Sequence, residues 1–356
     1  MEIPQEEKLT TSCLSNIFKD TTATYKFYWF EGILDIVVRE GRTRIDAWEI
    51  VARMAARAWY PVCFFRLSLG KSDSLYRAIL ALQKEKGIPI NVNSNELCKW
   101  LYENGNGEAL RNNFRVILNN VPYRLLSAWI KADNREMAAR SQRWENNCLY
   151  KIEKDNKTLW IELNTLWLDY LHTNYKILKD FTNWNLVLFL QKRNPNVPNI
   201  SAKIIREENR DALTRQHHFW DFVIKHGGGL RCIYTGKPIE AGGYALDHFM
   251  PWSFVCHNLI WNLLPADSSV NSSKSDKLPP LDKYLALLAE AQQHAVTVAL
   301  RGGYNDREIL EDYCLLGTTP QEMSEMASEP LRECFKHTYE PMSQIARNMG
   351  FEVWGQ

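Results

Sequence analysis

Apolar residues recur at helical spacing through most of the first 200 residues, and this pattern restricts that region to a largely α-helical fold. Thr21–Glu40 has threonines suited to capping a helix start. Apolar residues then cover almost its whole surface, which predicts a buried helix. Arg44–Trp59 is rich in alanine and amphipathic, and the pattern continues in Ser94–Glu103, Asn112–Asn119 and Arg135–Trp144. We therefore expect a large helical amino-terminal domain.

Two departures from the helical pattern divide the chain. Cys148–Glu162 alternates polar and apolar residues around Lys154-Asp155-Asn156-Lys157, which predicts a β-hairpin. Arg193–Ile200 contains two prolines and three asparagines in eight residues, a composition that breaks a helix and is typical of a linker. Ser201–Lys225 is predicted to be helical, as are two segments after Pro280, Leu281–Leu300 and Gln321–Met349.

Composition excludes several classes of protein. The net charge is +1, so no overall basic field marks a nucleic-acid binder, and any anion-binding surface must be local. The first residues lack the order of a secretory signal, and no apolar run is long enough to span a bilayer. The eight cysteines form no CxxC pair, which favours reduced thiols. We therefore expect a cytoplasmic protein without a membrane segment.

A local excess of positive charge precedes the most unusual part of the sequence. Between Lys192 and Trp220 there are six basic residues against three acidic ones. Such a run is ordinarily a solvated helix face. Next to a site that cuts phosphodiesters, it becomes a candidate for contacts with a nucleic-acid backbone. Both interpretations stay open on the sequence alone.

Residues 230–276 combine polar side chains that core packing does not require. The run LRCIYTG ends in a turn, YALDHFM reads as a second strand, and a long loop follows. Asp267 or Ser268 can cap a short helix that carries Asn271 and Lys274, which share a helix face because they are three residues apart. The sequence thus predicts two strands, a loop and a helix, with Asp247 and His248 on the second strand and Asn271 opposite on the helix.

This order of residues resembles the HNH nucleases, whose fold is the ββα-metal finger. The likeness is greatest to the HNH domain of the RNA-guided CRISPR nuclease, where a DH-x-x-P-x-SF segment precedes an N-x-x-K-S-D-x-x-P ending. This chain has DHFMPWSF and NSSKSDKLP. The resemblance covers roughly residues 229–280. Together with the apolar pattern on both sides, it predicts an α+β, mostly α chain: a helical amino-terminal domain over 1–200, the HNH nuclease domain over 201–280, and a helical segment over 281–356 packed on the nuclease domain.

The resemblance also implies a role for five residues. Asp247 and Asn271 match the two metal ligands, and His248 matches the general base that activates water. Asn262 matches the asparagine that braces the loop and orients the histidine. Lys274 matches a helix lysine near the substrate phosphate. These five residues are the expected catalytic and metal-binding set.

The chemistry of these residues agrees with phosphodiester hydrolysis. A hard divalent cation neutralises the phosphate and supports the leaving oxygen. One carboxylate and one carboxamide form an open site of the kind that Mg²⁺ occupies, with Mn²⁺ as an alternative. A neutral histidine near pH 7 can take the proton of the attacking water. We therefore expect one weakly bound divalent metal that the DNA phosphate completes.

A second, structural metal is not expected. Many HNH proteins carry two CxxC knuckles that bind zinc around the finger. The corresponding positions here are Cys232 and Thr235, and then Asp267 and Val270, so one of four cysteines is present. A tetrahedral zinc site of that type would therefore lack three of its four thiolate ligands.

The resemblance predicts a metal-dependent endonuclease that acts on DNA of phage or plasmid origin, in bacterial defence or restriction. One site per chain predicts that a monomer nicks, and that a double-strand break requires a dimer or two visits. The alternative is a DNA-binding or interaction subunit whose nuclease is gated by partner proteins of a defence complex. The near-neutral net charge keeps that alternative open, because it limits the intrinsic affinity for DNA.

Overall fold

The computed structural model describes residues 2–105, 107–155, 158–204 and 212–355. The chain divides into two compact units, Met1–Pro195 with Ile200–Arg206, and Asn196–Asn199 with Glu207–Gln356. Both units are mainly helical with a few short strands, which confirms the α+β, mostly α fold class. In the part of the chain that is described, no helix has the length and apolar character needed to cross a membrane.

The first unit is built of helices around one buried helix. Its helices are α1 (Thr11–Ser15), α2 (Tyr25–Glu40), α3 (Ala47–Trp59), α4 (Ser74–Lys86), α5 (Ser94–Glu103), α6 (Glu108–Leu126), α7 (Asn134–Ser141), α8 (Leu168–Thr173), α9 (Tyr175–Arg193) and α10 (Ile200–Ile204). Helix α2 is buried on all sides from Phe27 to Val37, as its composition predicted. Its two buried acids, Glu31 and Asp35, both pair with Arg57.

Strands β1 (Arg44–Asp46), β2 (Tyr150–Asp155) and β3 (Thr158–Leu163) form an antiparallel sheet in the order β1-β3-β2. The predicted hairpin is therefore confirmed, and residues 156–157 of its turn lie outside the described residues. The helix predicted from Arg44 begins only at Ala47. Residues 44–46 pair with β3 instead, and the Asp46 carboxylate accepts a hydrogen bond from the Trp48 amide and so caps the helix.

The predicted linker is non-helical between the end of α9 at Arg193 and the start of α10 at Ile200. The helix predicted over Ser201–Lys225 is not continuous, since residues 212 and 213 are not helical and the next helix begins at Thr214. Arg206, Arg210 and the three acidic residues of the charged run lie outside the described residues.

The second unit contains the predicted finger and the helices that follow it. Its elements are α11 (Thr214–His226), β4 (Leu230–Arg231), β5 (Pro238–Ile239), β6 (Ala245–His248), α12 (Trp252–Val255), β7 (Leu263–Ala266), α13 (Ser268–Lys274), α14 (Leu281–Arg301), α15 (Arg307–Glu311), α16 (Pro320–Glu325) and α17 (Ser328–Asn348). Helix α14 packs against α11, α16 and α17, and one apolar core joins these helices to the strands.

The strand pairing in this unit includes a strand that was not predicted. The strand at Tyr244–Met250 is confirmed over residues 245–248, but it does not pair with the segment that starts at Leu230. It pairs with β7, which the sequence analysis placed in a loop, while β4 pairs with β5. Leu263–Ala266 is buried at every position, so it shows no alternation, and it contains Pro265.

Candidate active site

The predicted catalytic pair lies at the end of β6. In the antiparallel pairing with β7, Asp247 is opposite Leu264 and His248 is opposite Leu263. Successive residues of a strand point to opposite faces, so the two side chains enter different surroundings. Asp247 is only 2% exposed, whereas His248 is half-buried. The strand end therefore places a buried carboxylate beside a partly exposed histidine.

Asp247 belongs to a buried polar group that we call the carboxylate cluster, made of Tyr234, Asp247 and Lys274. The Tyr234 hydroxyl donates to Asp247 Oδ2 at 2.5 Å, and the Lys274 ammonium donates to Oδ1 at 2.8 Å. The Lys274 side chain is fully buried. Burial, and next the charge of Asp247, hold the pKa of Tyr234 well above its usual range, so the phenol keeps the proton that it donates.

The position of Lys274 bears on its expected role. Its ammonium lies against Asp247 and also donates to the carbonyl oxygen of His248 at 2.7 Å. A buried lysine in this position is a counter-ion that ties α13 to β6. Its assignment to a substrate phosphate stays a prediction.

His248 is oriented by Asn258. The distance between His248 Nε2 and Asn258 Oδ1 is 3.0 Å. A carboxamide oxygen only accepts hydrogen bonds, so this geometry assigns a proton to Nε2 and, in the neutral ring, the lone pair to Nδ1. The tautomer that results has its basic nitrogen on the side of the ring away from Asn258.

Asn262 braces the loop that follows β6. It is fully buried, its Oδ1 accepts from the Met250 amide at 2.9 Å, and its Nδ2 donates to the Met250 carbonyl at 3.0 Å. The Phe249 amide also donates to the Asn262 carbonyl at 2.8 Å. These bonds support the bracing role expected of Asn262, while an orienting bond to the imidazole comes from Asn258.

Side chains of the helical carboxyl-terminal segment hold the backbone of residues 260–263. The Gln292 amide is fully buried and donates to the carbonyls of residues 260, 261 and 263 at 3.3, 3.1 and 2.9 Å. Its Oε1 accepts from the Tyr313 hydroxyl at 2.6 Å. Tyr339 donates to the residue 261 carbonyl at 2.9 Å, and Asp312 accepts from the residue 260 amide at 3.0 Å. The segment leading into β7 is thus built jointly by the finger and these helices.

Helix α13 begins at a well-defined cap. Asp267 accepts from the amide and the hydroxyl of Ser269 and pairs with Lys237 at 3.1 Å. The Ser269 hydroxyl and then Lys237 lower the pKa of Asp267 to about 2, so its carboxylate stays ionised at the helix amino terminus. Asn271 lies one turn into this helix and is half-buried. Within the described residues its amide side chain makes no hydrogen bond, so its oxygen is available as a ligand.

The end of the described chain packs against α13. The Leu278 amide donates to the Glu352 carbonyl at 2.9 Å, and the Trp354 amide donates to the Leu278 carbonyl at 2.8 Å. The Trp354 indole donates to the Ser273 hydroxyl at 3.4 Å and meets the Tyr234 ring edge-on at 5.5 Å. Residues 352–354 therefore support both α13 and the carboxylate cluster.

The residues present fit a divalent cation in the chemistry of their donors. Asp247 offers a carboxylate oxygen and Asn271 a carboxamide oxygen, which are ligands that Mg²⁺ and Mn²⁺ accept. The Lys274 ammonium lies 2.8 Å from Asp247 Oδ1 and the Tyr234 hydroxyl 2.5 Å from Oδ2, so a cation would share this carboxylate with two hydrogen-bond donors. Across the described residues, no group of three or more His, Cys, Asp or Glu side chains could hold a metal by itself. The fit therefore rests on one carboxylate and one amide.

Three neighbours of the site were missed by sequence reasoning: Tyr234, Asn258 and Gln292. A signal for Asn258 was present, since the Asn-Leu pair of the motif occurs twice, at Asn258-Leu259 and at Asn262-Leu263. Tyr234 lies in the Tyr-Thr-Gly turn, to which the sequence motif assigns no functional residue. Gln292 lies in a helix with an ordinary amphipathic pattern, so nothing in its own segment indicated a contact with the finger.

Comparisons with known proteins agree with this geometry. A family model described as HNH endonuclease matches residues 232–280. The CRISPR-associated endonuclease Cas9 of Listeria innocua is 28% identical over 90 residues, which are 24% of this chain and 6% of that protein. The chain thus spans a small fraction of that relative, and no solved structure matches it. Residues 232–280, which carry Asp247 and His248 on β6 and Asn271 on α13, match the HNH endonuclease family, and a 90-residue part of the chain is similar to Cas9.

Proposed function

We propose that the chain is a metal-dependent endonuclease that hydrolyses one strand of DNA per active site. The observation that carries this proposal is the placement of His248. It stands partly exposed at the end of β6, held at Nε2 by Asn258 and next to the buried carboxylate of Asp247. An imidazole fixed in one tautomer beside a cation-binding carboxylate is suited to activate water against a phosphodiester.

Each residue has a defined part in this proposal. His248 Nδ1 takes the proton of the attacking water, Asn258 keeps the ring in the required tautomer, and Asn262 fixes the loop. Asp247 and Asn271 would hold the metal, Mg²⁺ or Mn²⁺, which when bound neutralises the phosphate and stabilises the leaving oxygen. Lys274 holds Asp247 in place and joins α13 to the backbone of His248.

The proposed biological setting is bacterial defence against phage or plasmid DNA, inside the cytoplasm. The similarity to a CRISPR-associated endonuclease supports it. The mainly helical first unit would then select the target or bind a partner protein. A single HNH domain per chain supports nicking. A double-strand break would then require two chains, or two successive binding events of one chain on the same DNA.

Replacing His248 tests the assigned base. Supercoiled plasmid incubated with the purified chain and Mg²⁺ or Mn²⁺ is expected to give relaxed circles, and EDTA is expected to stop the reaction. His248→Ala is expected to lower the rate by about 10²-fold or more, because a positioned base contributes that much. His218→Ala is the matched control, since His218 is exposed in the same unit. Cutting that survives in His248→Ala would contradict the assignment of the base.

Asn258→Asp tests the orientation of the imidazole through the pH dependence. A carboxylate at this position favours the imidazolium form, and the base works only when neutral. In the pH profile of the nicking rate, the acidic limb is therefore expected to move to higher pH by about one unit or more. The exposed Gln321→Glu change gives the same amide-to-carboxylate substitution as a control. If the acidic limb of the pH profile were the same in Asn258→Asp as in the wild type, Asn258 would not contact the base in solution.

The seating of Lys274 on Asp247 favours a second candidate, a partner-gated subunit. Both carboxylate oxygens of Asp247 already accept hydrogen bonds, and the residue is 2% exposed. In this candidate a partner or DNA must shift α13 before metal binds. Absence of cutting by the wild-type chain with either metal would favour it over an autonomous nuclease.

A further inference from the structure

The first unit contains a concave surface that no part of the proposed catalytic site uses. It lies between residues 19–26, which lead into α2, and the second half of α6, and its volume is about 890 Å³. We call it the α2–α6 groove. Pockets of this size accept ligands as large as a nucleotide or a stretch of nucleic-acid backbone.

The charges of the α2–α6 groove are strongly unbalanced. Lys19, Lys26 and Arg124 line it, and Asp20 is the carboxylate among its lining residues. Burial lowers the pKa of Lys26, and the nearby charges of Lys131 and Arg124 lower it further, against the opposing effect of Asp20. Four cationic groups therefore stand close to one acidic group. Their mutual repulsion is relieved when an anion binds.

Several other arginines of the same unit are neutralised by ion pairs. Arg42 and Arg53 pair with Glu40 and Glu49, and Arg140 pairs with Glu136 and Glu145. By contrast, Lys19 and Arg124 are exposed and form no ion pair among the described residues. Lys84 and Lys86 of α4 likewise form no ion pair among the described residues, so what distinguishes Lys19 and Arg124 is their place in a concave surface, where low-dielectric walls concentrate the field.

The neutral lining of the groove offers little for reading bases. The hydroxyls of Thr21 and Ser127 donate to the carbonyls of Phe18 and Arg124, and the Tyr25 hydroxyl accepts from the Ser74 amide. The Lys26 ammonium donates to two backbone carbonyls, at 3.0 and 3.1 Å, which fixes its position. The Asn120 amide also donates to a backbone carbonyl. Charge is therefore the main feature by which the groove can bind a ligand, and sequence-independent binding of nucleic acid depends on phosphate charge.

We propose that the α2–α6 groove binds the phosphodiester backbone of DNA without regard to base sequence, through Lys19, Lys26 and Arg124. The choice of DNA among phosphate-bearing ligands rests on the proposed function. The groove gives a chain of net charge +1 a local site for a polyanion.

Binding is measured on the full-length chain carrying His248→Ala, so that cutting does not interfere. The probe is a fluorescent 30-base-pair DNA duplex of arbitrary sequence, titrated between 50 and 200 mM NaCl and followed by anisotropy. Lys19→Gln and Arg124→Gln are each expected to reduce the slope of log K against log salt by about 0.9, and together by about twice that. The double variant is expected to bind at least about tenfold more weakly at 50 mM salt.

Lys84→Gln with Lys86→Gln is the matched control, because both lysines are exposed on α4 of the same unit. The proposal would be overturned if the groove variants and this control had the same affinity and the same salt slope. It would also be overturned if the wild-type groove bound an RNA duplex of equal length more tightly than DNA.

The nuclease proposal and the groove proposal can fail separately. A chain that binds through the groove but never nicks would contradict the nuclease alone, and a chain that nicks with an unchanged slope in the groove variants would contradict the groove alone.

Discussion

Lys274→Met is expected to lower the free energy of unfolding of the second unit by about 3–5 kcal/mol, because it leaves the buried Asp247 charge without its partner. The His248 carbonyl also loses a donor. The measurement is hydrogen exchange by mass spectrometry on full-length protein, following peptides from residues 212–355, since the chain has two units and one global transition is not assured. The exposed Lys225→Met is the matched control and is expected to change this free energy by less than about 0.5 kcal/mol.

The double variant Asp247→Asn/Lys274→Met separates charge from packing. Removing both charges eliminates the uncompensated ion, so the double variant is expected to be more stable than Lys274→Met alone. It is also expected to be inactive in plasmid nicking, since the carboxylate proposed to bind metal is gone. A Lys274→Met protein as stable as wild type would mean that the carboxylate cluster is open to water in solution.

Gln292→Leu is expected to destabilise the second unit by at least about 2 kcal/mol and to lower nicking as well. The substitution removes the donor to three carbonyls of residues 260–263 and leaves the Tyr313 hydroxyl without its acceptor. Each buried polar group left unsatisfied costs about 1–3 kcal/mol. Activity is expected to fall because this backbone precedes β7, which pairs with the strand that carries Asp247 and His248.

The same exchange measurement and the plasmid assay check this prediction. Gln321→Leu makes the same chemical change at an exposed position and is expected to leave both readouts near wild type. Adding Tyr313→Phe to Gln292→Leu removes the orphaned hydroxyl and is expected to recover part of the stability. Normal nicking by a destabilised Gln292→Leu protein would show that the carboxyl-terminal helices stabilise the finger without shaping its site.

Local signals explain which elements the sequence predicted well. The helix at Ser94–Glu103 has the predicted bounds because Asn93 caps it and its apolar spacing is regular. Asp267 or Ser268 was predicted as the cap for α13, and Asp267 is the cap, since an aspartate before a short helical run is a local signal. The order of residues in the motif also sufficed to identify the HNH domain that the family comparison matches.

Contacts between distant segments explain what the sequence did not indicate. Lys274 is flanked by serines and stands before Asp276 and Lys277, so it reads as a solvated helix end. Its burial depends on Asp247, which is 27 residues away. Gln292 depends in the same way on carbonyls about 30 residues distant. β7 was not predicted because it is a fully buried strand that contains proline, so it lacks the alternation of polar and apolar residues by which strands are recognised.

The contact of residues 352–354 with Leu278 and Ser273 has a practical consequence for handling the protein. A change in residues 352–354 is expected to reach the helix that carries Asn271 and Lys274. A chain shortened to end before residue 352 would uncover Tyr234 and remove the backbone partners of Leu278. Shortened versions of the protein made to isolate the HNH domain therefore have to keep residues 352–354.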